Sequence, residues 1–116
     1  MTADDVRAIA LGLPRAYEVL VRDRVKFRVG RIVFVALSRD ETVMGFGYPK
    51  DEREALIESA PDKFHLPARS DMRYNWVHVW LDRIDHDELR ELVVDAWRMV
   101  VPKKVWSEYL DQRRAG

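Results

Sequence analysis

The sequence predicts an α+β fold. It indicates a single domain over residues 1–116, in which an antiparallel sheet of about five strands packs against N-terminal and C-terminal helices. Apolar residues recur at helical spacing near both ends, whereas in the middle they alternate or form short runs. Turn sequences separate these middle segments, as is typical of an antiparallel sheet. With 116 residues, 47% of them hydrophobic, the chain is long enough to bury one core.

The first predicted helix begins at Thr2 and ends at Pro14. Thr2 and Asp5 have the spacing of a capping box, and proline stops helix propagation. The apolar residues that follow the cap at helical spacing are Val6, Ile9, Ala10 and Leu13.

Five strands are predicted in the middle of the chain. They are residues 17–22, 26–29, 32–37, 42–48 and 75–81. Gly30 and Arg31 predict a two-residue hairpin turn of type II′, with glycine first. The strand 32–37 is apolar on both faces, which predicts a central position. Alternation in 42–48 places Gly45 and Gly47 on one face, where a bulky group can approach the backbone.

The remaining segments connect the strands or follow them. Residues 51–60 predict a short acidic helix with three inner positions, namely Ala55, Leu56 and Ser59. Residues 61–74 lack periodicity and predict a loop of the kind often used for binding. Asp85 predicts the cap of a helix that stops before Pro102. A shorter amphipathic segment with Trp106 and Tyr109 follows, and we expect residues 113–116 to be frayed.

Charge is balanced over the whole chain but not along it. The 20 Lys and Arg residues are matched by 20 Asp and Glu residues. Residues 22–31 nevertheless carry a net charge of +4 and residues 98–116 carry +3, whereas 40–62 carry −5 and 82–97 carry −4. Because local potential decides which ligands approach, the two basic segments are candidate sites for an anionic partner.

Several classes of protein are excluded. No segment approaches the roughly 20 apolar residues that cross a bilayer, and the acidic start Met1–Asp5 differs from a signal peptide. We therefore expect a cytoplasmic protein that does not act at membranes. Cysteine is absent, which excludes disulfides and thiolate metal sites. His65, His78 and His86 lack the spacing of a helical zinc motif, and no nucleophile-elbow, phosphate-loop or dinucleotide motif occurs. We expect no catalytic residues, no metal site, no cofactor and no enzymatic activity.

Four segments together resemble one known family. They are Leu13-Pro14, Phe27-Arg28-Val29-Gly30 with Ile32-Val33-Phe34, Trp76-Val77 with Val79 and Leu81-Asp82, and Asp87-Glu88-Leu89 leading to Ala96-Trp97-Arg98 and Val100-Val101-Pro102-Lys103-Lys104. The chain is similar to the MmcQ/YjbR family from about residue 4 to 110. The resemblance implies a fold like that of CyaY and frataxin, a "double wing" of β-hairpins and a proposed role in binding DNA.

The leading candidate site is basic. Four bases occur at a spacing of two, at Arg22, Arg24, Lys26 and Arg28, and one continuous strand would project them from one face toward a phosphate backbone. The other candidate residues for nucleic-acid binding are Arg31, Lys103 and Lys104. Three structural alternatives remain open. Charge can protect an edge strand, Asp23 and Arg24 can instead mark a turn that breaks the register, and lysines after a helix can complement its dipole.

A second candidate site is aromatic. Alternation in 75–81 places Trp76, His78 and Trp80 on one face of the last strand, where bases or a small ligand can stack. These rings belong to the core instead if residues 102–112 fold over them. We therefore predict a non-catalytic protein that binds DNA weakly and with little sequence preference. The alternative is a small-molecule or protein-binding module that uses the aromatic face. A monomer or a weak homodimer is expected.

Overall fold

An antiparallel sheet and four helices make up residues 1–115, the part of the chain that a computed structural model describes. The helices are α1 (Ala3–Ala10), α2 (Arg53–Ser59), α3 (His86–Arg98) and α4 (Lys103–Ala115). The strands are β1 (Ala16–Val21), β2 (Arg24–Val29), β3 (Ile32–Leu37), β4 (Val43–Gly47), β5 (Phe64–His65) and β6 (Trp76–Trp80). Short 3-10 turns lie at Arg69–Asp71 and Leu81–Arg83. The predicted α+β fold is confirmed.

The sheet has the strand order β1-β2-β3-β4-β6-β5, and every neighbouring pair is antiparallel. The strand at the end of this order, β5, is the one that the sequence did not predict. It has only two residues, Phe64 and His65, which pair with Val79 and His78. A two-residue strand shows no alternation, so the sequence placed it within a loop. β3 lies inside the sheet, as its apolar run predicts.

Two tight turns connect the first three strands. Gly30 has φ of +61° while Arg31 stays in the usual region, as the predicted type II′ turn requires. Arg22 and Asp23 both have positive φ, which is the pattern of a type I′ turn, and Val21 pairs with Arg24 across it. Arg22 is therefore a turn residue, and the expected continuous strand from Arg22 to Arg28 is interrupted.

One face of the sheet carries the core. Its inward side chains are at most 6% exposed and comprise Phe27, Val35, Leu37, Met44, Phe46, Phe64, Val77 and Val79. Buried residues of α1 and α3 pack against them, and apolar residues of α2 and α4 complete the same cluster. The Trp97 indole of α3 donates to the Pro14 carbonyl at 2.9 Å. All four helices thus share one side of the sheet.

The helix caps agree with the sequence prediction. The Thr2 hydroxyl accepts from the Asp5 backbone N–H, and the Asp5 carboxylate accepts from the Thr2 N–H in return. Asp85 accepts from the Glu88 N–H at 2.8 Å and begins α3. Capping depends on residues close in sequence, which is why it is readable from the sequence.

The C-terminal helix differs from the prediction. α4 has 13 residues, as many as α3, and its helical conformation includes Arg113 and Arg114 rather than a frayed end. Tyr109 packs edge-on against Trp97 of α3, with the ring centroids 5.2 Å apart. α4 therefore extends the helix layer, and residues 102–112 do not cover the aromatic face of β6. Gly116 lies outside the described residues.

The acidic helix α2 also differs from the prediction. Ala55 and Ser59, two of its three expected inner residues, are exposed, whereas Arg53 is only 8% exposed. The helix turns toward the loop that precedes β6, where backbone carbonyls attract the guanidinium. No helix in residues 1–115 has both the length and the apolar character needed to cross a membrane.

Candidate functional site

The basic and the aromatic candidate residues lie on the same face of the sheet. Lys26 pairs with Ala36, Ala36 with Gly45, Gly45 with His78, and His78 with His65, so one transverse row joins β2 to β5. We call this surface, opposite the helices, the helix-free face. It comprises Tyr17, Val19 and Val21 of β1, Arg24, Lys26 and Arg28 of β2, Val33 and Ala36 of β3, Val43 and Gly45 of β4, His65 of β5, and Trp76, His78 and Trp80 of β6.

Three of the predicted bases form the basic side of this face. Arg24, Lys26 and Arg28 alternate along β2, whose pairing with β1 is regular throughout. A register shift between β2 and β3 falls after Phe27, where β3 carries the extra residue, so the alternation within β2 is unaffected.

The other predicted bases lie elsewhere. Arg22 and Arg31 occupy the two turns at opposite ends of β2. Lys103 and Lys104 begin α4 in the helix layer rather than completing the C-terminus of α3. The structure therefore does not bring the C-terminal lysines together with the β2 bases on the helix-free face. Because these lysines stand at the start of a helix, a favourable interaction with the C-terminal end of a helix dipole does not explain their positions.

The aromatic side of the face is preassembled. A Cβ placed on Gly45 would lie 2.6 Å from Trp76 Nε1, so the Trp76 indole occupies the space that this glycine leaves. The His65 ring lies 4.7 Å from the Trp80 ring and 5.4 Å from the His78 ring. Trp80 remains 42% exposed. The prediction that Gly45 accepts a bulky group is correct, whereas Gly47 faces Ala96 of α3 instead.

Electrostatics on this face favour an anion. Within the described residues, none of the strand side chains on the helix-free face is a carboxylate, whereas three carry positive charge. Asp71, in the adjoining loop, acts on His78 from the border of the face. A surface with this charge attracts anions although the whole chain is neutral.

Both histidines of the face favour the neutral form. Burial lowers the pKa of the His65 imidazole below its ordinary value. Burial also lowers the pKa of His78, and the nearby positive charges of His65 and Arg24 lower it further, while Asp71 acts in the opposite direction.

Two buried nitrogens of this face lack a hydrogen-bond partner within the described protein. They are Nε of Arg28 and Nδ1 of His65. Buried polar atoms are usually paired in folded proteins, and an unpaired one is explained by local strain, by a functional role, or by a bound water or ion. One such atom lies on the basic side of the face and the other on the aromatic side.

Arg53 anchors the loop beside this face and was missed by the sequence prediction. Its guanidinium donates to the carbonyls of Met72 at 2.6 Å, Tyr74 at 3.1 Å and Trp76 at 3.1 Å. These bonds hold the chain that leads into β6 and so position the first indole. In the sequence Arg53 is one base within an acidic segment, and no local pattern distinguishes it.

The concavity beside Trp80 is a weaker candidate for an anion site. It has a volume of about 660 Å³, and its lining holds Asp4, Glu41 and Asp82 against Arg7 and the amino terminus of Met1. That lining does not suit an anionic ligand. Among residues 1–115, no group of three or more His, Asp and Glu side chains is placed to hold a metal ion.

Comparison with known proteins identifies the family. A family model described as YjbR matches residues 11–99. The chain belongs to the YjbR family. The matched range contains all six strands and therefore the whole helix-free face, whereas Lys103 and Lys104 lie beyond it. The family predicted from the sequence motifs is confirmed.

A solved structure supports the YjbR fold. The chain is similar to the crystal structure of Deinococcus radiodurans protein DR2400, described as a DUF419 domain, with a TM-score of 0.76 and 21% identity. The similarity covers 92% of this chain and 86% of that one. At this identity the likeness shows the fold alone. The comparison with curated proteins gives no match.

Proposed function

We propose that this YjbR-family protein binds nucleic acid, DNA in particular, through its helix-free face and without catalysing a reaction. The observation that carries the proposal is the shared surface of the β2 bases and the β6 aromatics, joined by the row from Lys26 to His78. Nucleic acids offer an anionic backbone and aromatic bases, and this face offers a partner for each.

The phosphate contacts are assigned to Arg24, Lys26 and Arg28. Lysine and arginine bind phosphate oxygens without reading sequence, so affinity comes mainly from charge and falls as salt rises. Arg22 and Arg31 lie in the turns at the two ends of β2, where they can extend the same track. Lys103 and Lys104 belong to the helix layer and are left out of the proposed contact surface.

The test is fluorescence anisotropy of labelled DNA, titrated with the protein at low and at moderate salt. Three phosphate contacts to a single strand predict about a 20-fold loss of affinity between roughly 50 and 200 mM salt. The triple variant R24A/K26A/R28A should bind much more weakly and show a smaller salt dependence, because it removes three of the phosphate contacts. Equal binding by the variant and the unaltered protein would overturn the assignment to β2.

A matched control separates this site from net charge. The variant K103A/K104A/R114A removes the same number of positive charges from α4. The proposal expects it to bind DNA like the unaltered protein. If both triple variants lose affinity equally, a general effect of net charge replaces the proposed site.

One observation favours the second candidate, a small-molecule or protein-binding module. Trp80 is 42% exposed beside the His65 ring, and such an aromatic surface also suits a flat uncharged ligand or a partner protein. That function predicts that uncharged aromatic compounds change the tryptophan fluorescence. The change should be the same in the unaltered protein and in the variant R24A/K26A/R28A. Light scattering that shows a stable dimer would favour the protein-binding form over the expected monomer.

A further inference from the structure

We infer that the nucleic acid that fits this face is a single strand, with its bases stacked along β6 and its phosphates along β2. The inference rests on the proposed function and names its substrate class. Three features of the helix-free face carry it, namely two matched rows of side chains, a low floor between them and a rigid aromatic side.

The two rows are matched in number and direction. β2 carries Arg24, Lys26 and Arg28, and β6 carries Trp76, His78 and Trp80, each row at alternate positions. Lys26 and His78 lie in one transverse row. Since β2 and β6 are antiparallel, Arg24 lies toward the Trp80 end and Arg28 toward the Trp76 end. Each row spans roughly 13 Å.

The floor between the rows is low. β2 and β6 are separated by β3 and β4, which places the rows roughly 14 Å apart at ordinary strand spacing. In the central transverse row, the two residues between Lys26 and His78 are Ala36 and Gly45, and the Trp76 indole lies over Gly45. The floor therefore consists of a small side chain and one ring that covers the glycine. Long basic side chains on one side and rings on the other therefore border a shallow channel.

Such a channel suits unpaired nucleotides rather than a duplex. In double-stranded DNA the faces of the bases are stacked inside the helix, and proteins reach only their edges through the grooves. Rings on a sheet surface cannot stack on bases that are covered in this way. In a single strand the bases are free to stack on protein aromatics while the backbone follows a basic groove, and this arrangement tolerates any sequence.

The aromatic side is held in place before any ligand binds. The Trp76 indole lies over Gly45, the following backbone is fixed by Arg53, and the Trp80 ring packs beside His65. Groups that are already ordered lose less conformational freedom when a ligand binds. Trp80 is the most exposed ring of β6, so it is assigned as the main stacking residue.

The test measures, by fluorescence anisotropy at equal salt, the affinity for a labelled oligothymidylate and for the duplex that contains it. It uses three proteins, namely the unaltered protein, the variant W80L, and the variant W106L as the matched control. Trp106 lies on α4 against Arg98, so its replacement removes an indole without touching the helix-free face. The inference expects tighter binding of the single strand than of the duplex. W80L should weaken single-strand binding about 5- to 150-fold, the range for loss of one stacked base, with an unchanged salt dependence. W106L should have no effect.

The outcomes separate the inference from the proposed function. If the duplex binds at least as tightly and W80L has no effect, while R24A/K26A/R28A still weakens binding, the single-strand inference is wrong and the proposed function stands. If neither the single strand nor the duplex binds at low salt, both are wrong. Circular dichroism of W80L and W106L checks that each variant is folded.

Discussion

At the scale of single residues, Gly45 and Gly47 of β4 provide a matched pair. A Cβ on Gly45 would lie 2.6 Å from Trp76 Nε1, whereas the nearest atom to a Cβ on Gly47 would be 3.7 Å away. G45A should therefore displace the indole and lower the free energy of unfolding by about 1–3 kcal/mol, as overpacking does. G47A should be close to neutral. Urea unfolding followed by tryptophan fluorescence measures both, and equal stability of the two variants would contradict the placement of Trp76.

His65 and His78 give the stability a pH dependence. Both have a lowered pKa in the folded protein, whereas an unfolded histidine titrates near about 6.5. As pH falls below that value, the unfolded chain binds more protons, so the free energy of unfolding should decrease. The charges that act on His78 are those of His65 and Arg24, which oppose its protonation, and of Asp71, which favours it.

The double variant H65Q/H78Q tests this pH dependence. Urea unfolding between about pH 7.5 and about pH 5.5 should show a smaller loss of stability in the variant than in the unaltered protein. H86Q changes an exposed histidine at the start of α3 and should retain the full loss. An unchanged pH dependence in H65Q/H78Q would rule out these two residues as its source.

At the scale of elements, Arg53 joins α2 to the loop before β6. Its guanidinium donates to three carbonyls, and R53M would leave them unpaired. Because a hydrogen bond from a charged group contributes about 1.5–3 kcal/mol, the free energy of unfolding should fall by at least about 2 kcal/mol. Amide hydrogen exchange of residues 72–76 should accelerate. R69M, an exposed change in the same loop, is the control, and similar exchange in both variants would contradict the anchoring role.

Both turns that flank β2 contain a position with positive φ, where glycine is favoured. Asp23 has φ of +66° in the β1–β2 turn, and D23G should stabilise the protein by about 0.5–1 kcal/mol, since strain relief exceeds the added freedom of the unfolded chain. Gly30 has φ of +61°, and G30A should destabilise it by about 1 kcal/mol. Thermal unfolding measures both changes, and a loss of stability in D23G would argue against the left-handed turn.

Local patterns made most elements predictable from the sequence. The caps at Thr2 and Asp85 and the turn at Gly30 depend on residues within four positions of each other. The errors arose where such signals were missing. Arg22 and Asp23 form the β1–β2 turn without glycine or proline, so the sequence indicated a turn at this point only as an alternative. β5 is too short to alternate, and the buried position of Arg53 depends on carbonyls about twenty residues away.

At the scale of the whole molecule, strand order creates the candidate site. The sequence predicted a basic row on β2 and an aromatic row on β6 separately, and as rival sites. Their common face follows from the pairing of β4 with β6, which joins residues about thirty or more positions apart. Such pairing depends on the packing of the whole core, so it cannot be predicted from a pattern of residues that are close in the sequence. It also explains how a chain without net charge presents a basic surface.

The four tryptophans are built-in reporters of the two sides of the molecule. Trp76 and Trp80 lie on the helix-free face, whereas Trp97 of α3 is buried in the core and Trp106 lies on α4. The most direct test is a titration of the nitrogen-15-labelled protein with oligothymidylate, followed through the four indole N–H resonances. We predict shifts of Trp76 and Trp80 with Trp97 and Trp106 unchanged. Shifts confined to Trp97 and Trp106, or no shift of any indole, would contradict binding at the helix-free face.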